Sequence, residues 1–171
     1  MCGITVDSLA LLQGDGSKEV RPPDRKVRVL GIDLGTTNST VAEVVVEGQV
    51  TSLPPARCLE IEQFTPDGDH THLLVPSVVA LHGGREIVGE GAKRLRASAS
   101  ENGLVQNVSI FYDCKNDIGI RKTYHKAPAG YRNAAEVGGH LLGFLHQAAL
   151  REDPAPVVRT VVTVPASFQA A

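Results

Sequence analysis

Apolar and polar positions follow two different periods along this chain, and the period changes near Gly91. Val27-Arg28-Val29-Leu30-Gly31-Ile32 is rich in β-branched residues and predicts a buried strand ending in Asp33-Leu34-Gly35. Thr40 to Val46 predicts a second strand, which Glu47-Gly48-Gln49 turns into a third over Val50 to Leu53. Two tight connections among three strands imply an antiparallel meander, because parallel neighbours need a long crossover. A polar, proline-bearing stretch runs from Pro54 to His72. Beyond it, Ser77 to Leu81 and Arg85 to Val88, joined through His82-Gly83-Gly84, carry a hairpin signal.

From Gly91 onward the spacing becomes helical. Gly91 to Ser98 and Val108 to Ile118 read as short helices, and Ala134 to Ala149 as a long one with Val137, Leu141, Leu145 and Ala148 on one face. Asn133 with Glu136 three residues on forms a capping box, Asn standing for the usual Ser or Thr. Gly138, Gly139 and Gly143 each cost this helix roughly 1 kcal/mol against Ala. Packing must therefore hold it, and the glycines point to close approach of a neighbouring backbone. Val157 to Val164 is a strand stopped by Pro165; following a helix, it can join the meander as a parallel strand. The predicted class is α/β, a three-strand antiparallel meander plus a parallel strand with flanking helices. Residues 1–26 hold breaker clusters without apolar periodicity and read as a flexible N-terminal extension to a domain over 27–171. Ala166 to Ala171 opens a further helix with no cap or breaker, so the lobe is expected to be truncated.

Charge narrows the partners. Seventeen Lys and Arg against nineteen Asp and Glu leave a net charge of -2, which supplies no electrostatic argument for nucleic acid or an anionic membrane. No apolar run approaches a spanning length, and Ile4 to Leu12 is broken by Asp7 with no basic residue before it, unlike a secretory signal. Cys2, Cys58 and Cys114 are odd in number and far apart, which reads as reduced thiols in a cytoplasmic protein.

Candidate chemistry lies in Asp33-Leu34-Gly35-Thr36-Thr37-Asn38-Ser39, between the first two strands. Gly35 permits a backbone approach that a Cβ would block. Successive backbone N–H groups and the hydroxyls of Thr36 and Thr37 offer donors to phosphate oxygens. Asp33 could hold the water shell of Mg²⁺. A polar hairpin whose Gly and Thr serve turn geometry is the plainer alternative. No G-K-[ST] follows, so this is not a Walker loop. Asp67, Asp69, His70 and His72 gather possible metal ligands, though in a polar loop simple solvation is the default. His140 and His146 do not share a helix face.

Val29 to Ser39 closely resembles the first phosphate loop of the seventy-kilodalton heat-shock chaperones, the DnaK-type family. Shorter forms of that motif occur across the actin-like ATPases. Val75 to Leu81 resembles the family's T-P-S-V-V-A-F, and Ile87-Val88-Gly89 to Ala92-Lys93-Arg94 its V-G-x-x-A-K-R. Asp113-Cys114-Lys115 with Ile118-Gly119 is similar to D-x-K-R-L-I-G, and Val162 to Phe168 to V-T-V-P-A-Y-F. All stand in family order. The resemblance implies the N-terminal lobe of an actin-like, ribonuclease H-like ATPase domain that uses ATP or ADP with Mg²⁺. Asp33 would then act on Mg²⁺ through water, and Gly35, Thr36, Thr37 and Asn38 would contact the phosphates. Lys115 would stand by the γ-phosphate as the catalytic cation, and Pro165 would relay nucleotide state. The intact parent would couple ATP hydrolysis to binding and release of unfolded polypeptides, with co-chaperones. The alternatives are another actin-like ATPase (a sugar kinase or filament protein) or a non-enzymatic remnant.

The departures concern neighbours of the site. Asn116-Asp117 replaces R-L after Lys115, which brings an acid into the local positive field. Lys115 and Pro165 lie fifty positions apart, closer than in typical members, so the segment between them is abbreviated. Pro54 to Pro76 is longer than its counterpart, and Ser167 replaces an aromatic.

Overall fold

The computed structural model describes residues 26–48 and 54–163. The expectations for the extension before Lys26, the strand over Val50 to Leu53, Pro165, Ser167 and the helix from Ala166 lie outside them. Strand β1 (Val27–Asp33) pairs antiparallel with β2 (Asn38–Val46), from Val27 opposite Val46 to Asp33 opposite Thr40. The expected polar stretch holds three short strands instead: β3 (Arg57–Cys58), β4 (Ile61–Gln63) and β5 (His70–His72). Among the described residues β3 is the third strand of the meander, lying antiparallel on β2 with Cys58 opposite Ala42. A further pair, β6 (Val75–Pro76), meets the start of β2. The hairpin forms as expected from β7 (Val79–His82) and β8 (Arg85–Val88), and helix α1 (Glu90–Ala97) follows.

Helix α1 is capped from a distance. Its N-cap residue, Gly89, has no side chain and a φ of 84°, and a Cβ there would sit 2.4 Å from Gln63 Oε1. That oxygen accepts the Glu90 N–H at 2.9 Å, so the fully buried Gln63 supplies the missing cap.

The expected helix over Val108 to Ile118 is absent. Strand β9 (Ile110–Phe111) pairs with β7, and a 3-10 turn covers Cys114–Asp117. Asp113, within the segment, adopts a left-handed φ of 56°, which breaks a helix there, Asn107 just before it has a φ of 58°, and Phe111 is fully buried.

Helix α2 (Ala134–Glu152) outruns the expected end by three residues. Val137, Leu141, Leu145 and Ala148 are buried together against Leu30, Ile32 and Val41 of the sheet. Asn133 Oδ1 accepts the Glu136 N–H at 2.9 Å, while the Glu136 carboxylate accepts from the backbone of Arg132 and the Asn133 amide. The forward half of the capping box is thus in the expected register, and only its return bond is displaced, to the N–H of Arg132. The glycines meet no neighbouring backbone. A Cβ on Gly139 or Gly143 would have nothing within 4 Å, and one on Gly138 would meet only Ile118 Cδ1, at 3.9 Å. Packing on the opposite face holds this part of the helix, helped by His140, whose ring stacks on Tyr131 and whose Nδ1 lies 2.6 Å from the Glu86 carboxylate.

At its other end α2 is tied to β1 by Arg28, which is fully buried. The guanidinium donates to the carbonyls of Ala149 and Asp153 at 2.8 and 2.6 Å and to Glu43 Oε2 at 2.7 Å. Glu43 also receives the exposed Arg57 from β3. Burial alone would raise the Glu43 carboxyl, but hydrogen bonds from Arg57 and Arg28 outweigh it and hold the group below its ordinary value. Strand β10 (Val157–Thr163) then lies parallel to β1, giving the sheet order β10-β1-β2-β3.

Candidate functional site

The link from β1 to β2 is built around Gly35. A Cβ there would lie 1.8 Å from the backbone oxygen of Asn38, so only glycine fits. Three hydrogen bonds close a ring on this residue. The Gly35 N–H donates to Ser39 Oγ at 3.2 Å, the two hydroxyls of Ser39 and Ser77 lie 2.9 Å apart, and Ser77 Oγ donates to the Gly35 carbonyl at 2.7 Å. Because the Ser77 proton goes to that carbonyl, Ser39 donates to Ser77, and every proton in the ring is assigned. The Ser77 N–H also donates to the Thr37 carbonyl at 2.8 Å. Ser77 lies 42 residues from Gly35. The sequence places it in the hairpin and in the Val75 to Leu81 block without a task at this loop; the structure brings it there because Pro76 beside it pairs with Asn38.

The ring narrows the expected nest of donors, since the Gly35 N–H is used inside the loop. Thr36 and Thr37 remain, their hydroxyls without a hydrogen-bond partner among the described residues, and Asn38 opens β2 at an exposed position. Asp33 is exposed at the end of β1. Its Oδ1 accepts from the Thr163 hydroxyl at 2.8 Å.

Lys115 comes to the same place from the 3-10 turn. A cleft is lined by Gly35, Thr36, Ser77, Lys115, Ile118 and Gly138, and its enclosed part, about 20 Å³, has room for about one water. A phosphate chain would therefore lie along its mouth. Lys115 is nearly buried. Burial pushes its ammonium below the ordinary lysine value and the Asp33 carboxylate pushes it back up, so an arriving anion would relieve the strain of desolvation. Asp117, the acid expected to weaken this field, is occupied elsewhere: it accepts from Lys122 at 2.7 Å and from the Tyr124 hydroxyl at 2.9 Å.

These residues fit magnesium held through water. Asp33 offers one carboxylate with oxygens to spare, and among the described residues no group of three or more His, Cys, Asp or Glu is placed to hold a metal directly. The four candidates in the polar loop do not form such a group: Asp67 pairs with Arg94 at 2.9 Å, while the His70 and His72 rings stack on one another and His72 Nδ1 accepts the Leu74 N–H. Among the described residues no helix is long and apolar enough to cross a membrane, and Cys58 and Cys114 are free thiols.

No protein-family model matches the chain. Curated proteins do. It is 34% identical over 140 residues to the chaperone protein DnaK of Metamycoplasma hominis and 33% identical over 156 residues to that of Anaplasma marginale. It is 32% identical over 179 residues to a chaperone protein HscA homolog of Pseudomonas paraeruginosa. The DnaK matches take in 82% of this chain and the HscA match 94%. The chain spans only 20 to 26% of the length of these relatives.

Proposed function

The chain is a relative of the DnaK-type seventy-kilodalton chaperones, matched over about a fifth of their length, and from that premise we propose that it forms one wall of an ATP site in an actin-like ATPase lobe. The observation that carries this reading is a convergence. Gly35 and Thr36 from the loop after β1 and Lys115 from a turn some eighty residues on line one cleft, and the Asp33 carboxylate at the end of β1 acts on the Lys115 ammonium. Chaperone relatives favour this over a sugar kinase or filament protein.

Each residue has a physical task. The Thr36 and Thr37 hydroxyls donate to phosphate oxygens, and the Gly35 ring keeps the loop from rearranging as they do so. Asp33 accepts from the water shell of the metal. Magnesium, when bound, would neutralise phosphate charge. Lys115 directs a compact positive charge at the γ-phosphate, where negative charge develops. Phosphoryl transfer is mostly positioning and charge stabilisation, so little covalent chemistry is required of these groups. One wall cannot exclude water from the reaction. The 171-residue chain is therefore expected to bind Mg-ATP weakly and to turn it over negligibly. In the longer protein, hydrolysis would drive the uptake and release of unfolded polypeptides in the cytoplasm, with co-chaperones, Pro165 relaying the nucleotide state.

The test is a titration with Mg-ATP of the chain and of a version extended through the downstream reading frame. Saturable binding that weakens in Asp33→Asn, together with turnover of the extended version that is lost in Lys115→Ala, is the expected result. Absence of saturable binding in both versions would refute the reading.

A further inference from the structure

We propose that Thr163 is a positioning residue for Asp33, fixing the carboxylate that faces the magnesium waters; this rests on the nucleotide reading above. Thr163 is the last residue of β10 and stands directly opposite Asp33 in the parallel register with β1. Its hydroxyl has one proton and two acceptors in range: Asp33 Oδ1 at 2.8 Å and the Ile32 carbonyl at 3.5 Å. The second distance is at the limit for an O–H donor, so the proton goes to the carboxylate. A bond from a neutral donor to an ionised acceptor is of the stronger kind. It holds the side chain at a single Oδ1 and leaves the remaining lone pairs of the carboxylate for other donors.

The arrangement has a chemical logic. Asp33 is exposed at a strand end, where an unrestrained carboxylate would sample several rotamers. Acting on a metal through water demands that one oxygen stay put, because magnesium tolerates little departure from octahedral geometry. The restraint comes from a strand 130 residues away, and the backbone of that strand supports it: the Leu34 N–H reaches the Thr163 carbonyl at 3.4 Å. Val164 and Pro165 follow directly in sequence. The residue that orients the metal carboxylate is thus two positions from the proline assigned to relay nucleotide state.

The experiment uses the full chain, with Thr163→Val as a nearly isosteric variant lacking the hydroxyl and Thr163→Ser as the variant that keeps it. ADP affinity is measured for each with magnesium and with the metal chelated. Thr163→Val is expected to lose about fivefold in affinity when magnesium is present, the size of one such bond discounted for exposure, and nothing when it is absent. Thr163→Ser is expected to restore wild-type behaviour. An equal loss with and without metal would mean that the side chain serves only the fold, and no loss would mean that the bond does not act on the site; either overturns the proposal. A wild-type chain that binds no nucleotide under either condition would overturn the nucleotide reading itself, and this role with it.

Discussion

Replacing Gly35 by Ala is the sharpest perturbation the loop between β1 and β2 offers. The new methyl would stand 1.8 Å from the Asn38 carbonyl oxygen, whereas real Cβ atoms essentially never come closer than 3.0 Å. The contact is with backbone, so one strand end or the other must move by roughly 1 Å. Gly35 makes two of the three bonds in the ring with Ser39 and Ser77, and that movement breaks at least those two. At about 1 kcal/mol net for each, with more for the half-buried hydroxyls left without partners, the loss comes to about 2–3 kcal/mol. Gly31 supplies the control, because a Cβ there has nothing within 4 Å. Urea unfolding of the two variants should therefore separate them: Gly31→Ala close to wild type, Gly35→Ala with its midpoint displaced by the full amount and an unchanged slope. Mg-ATP titration should show the same order. A Gly35→Ala protein that matches Gly31→Ala in both midpoint and affinity would refute the claim that this ring sets the shape of the loop.

Arg28→Met leaves Glu43 half-neutralised and two helix carbonyls unpaired, so a loss of about 3–5 kcal/mol is expected; adding Glu43→Leu should recover part of it, and a double variant worse than the single would overturn this account. Gly139→Ala and Gly143→Ala should each raise stability by about 0.5–1 kcal/mol, since helix propensity improves and neither methyl meets an atom; a fall in melting temperature would contradict the open surroundings of both positions. Glu43 titrates below its unfolded value of 4.5, so its contribution to stability is complete above that pH and is lost as pH falls through the depressed native value. Chemical unfolding followed down to about pH 3 should show a shallower acid loss for Glu43→Gln than for wild type. Equal slopes would exclude this carboxylate as a source.

Elements written in a single period were legible from the residues alone. The strands over Val27–Asp33 and Asn38–Val46, the hairpin and the long helix emerge close to their expected bounds because local pattern and burial agree. Arg57–Cys58 could not be found that way. Both residues are exposed, and only pairing with Ala42 and Glu43 makes them a strand. The segment over Val108 to Ile118 misled because its apolar residues suit a helix, while the left-handed Asp113 within it, invisible to periodicity, breaks it. Arg28 sits in what reads as an apolar strand and is buried all the same. Its acceptors lie 121 and 125 residues further on, beyond the reach of any local rule. The site divides in the same way. Asp33, Gly35, Thr36, Thr37 and Lys115 were legible as motif residues. Ser39, Ser77 and Thr163 stand in the same motif blocks but carried no assigned task, because a serine or threonine acquires its task from whatever tertiary pairing sets opposite it.

The central place of β1 in its sheet constrains how the protein can be made. One neighbour, β2, leaves the ribosome almost at once, but the other, β10, ends 130 residues after Asp33. At roughly 5–20 residues per second, the nascent chain presents an unpaired strand edge for about 7–26 seconds. During that interval Arg28 has neither helix carbonyl to bind and the Asp33 carboxylate has no Thr163 hydroxyl to accept from. A relative of chaperones is thereby itself, for the length of its own translation, the kind of incomplete chain that invites aggregation.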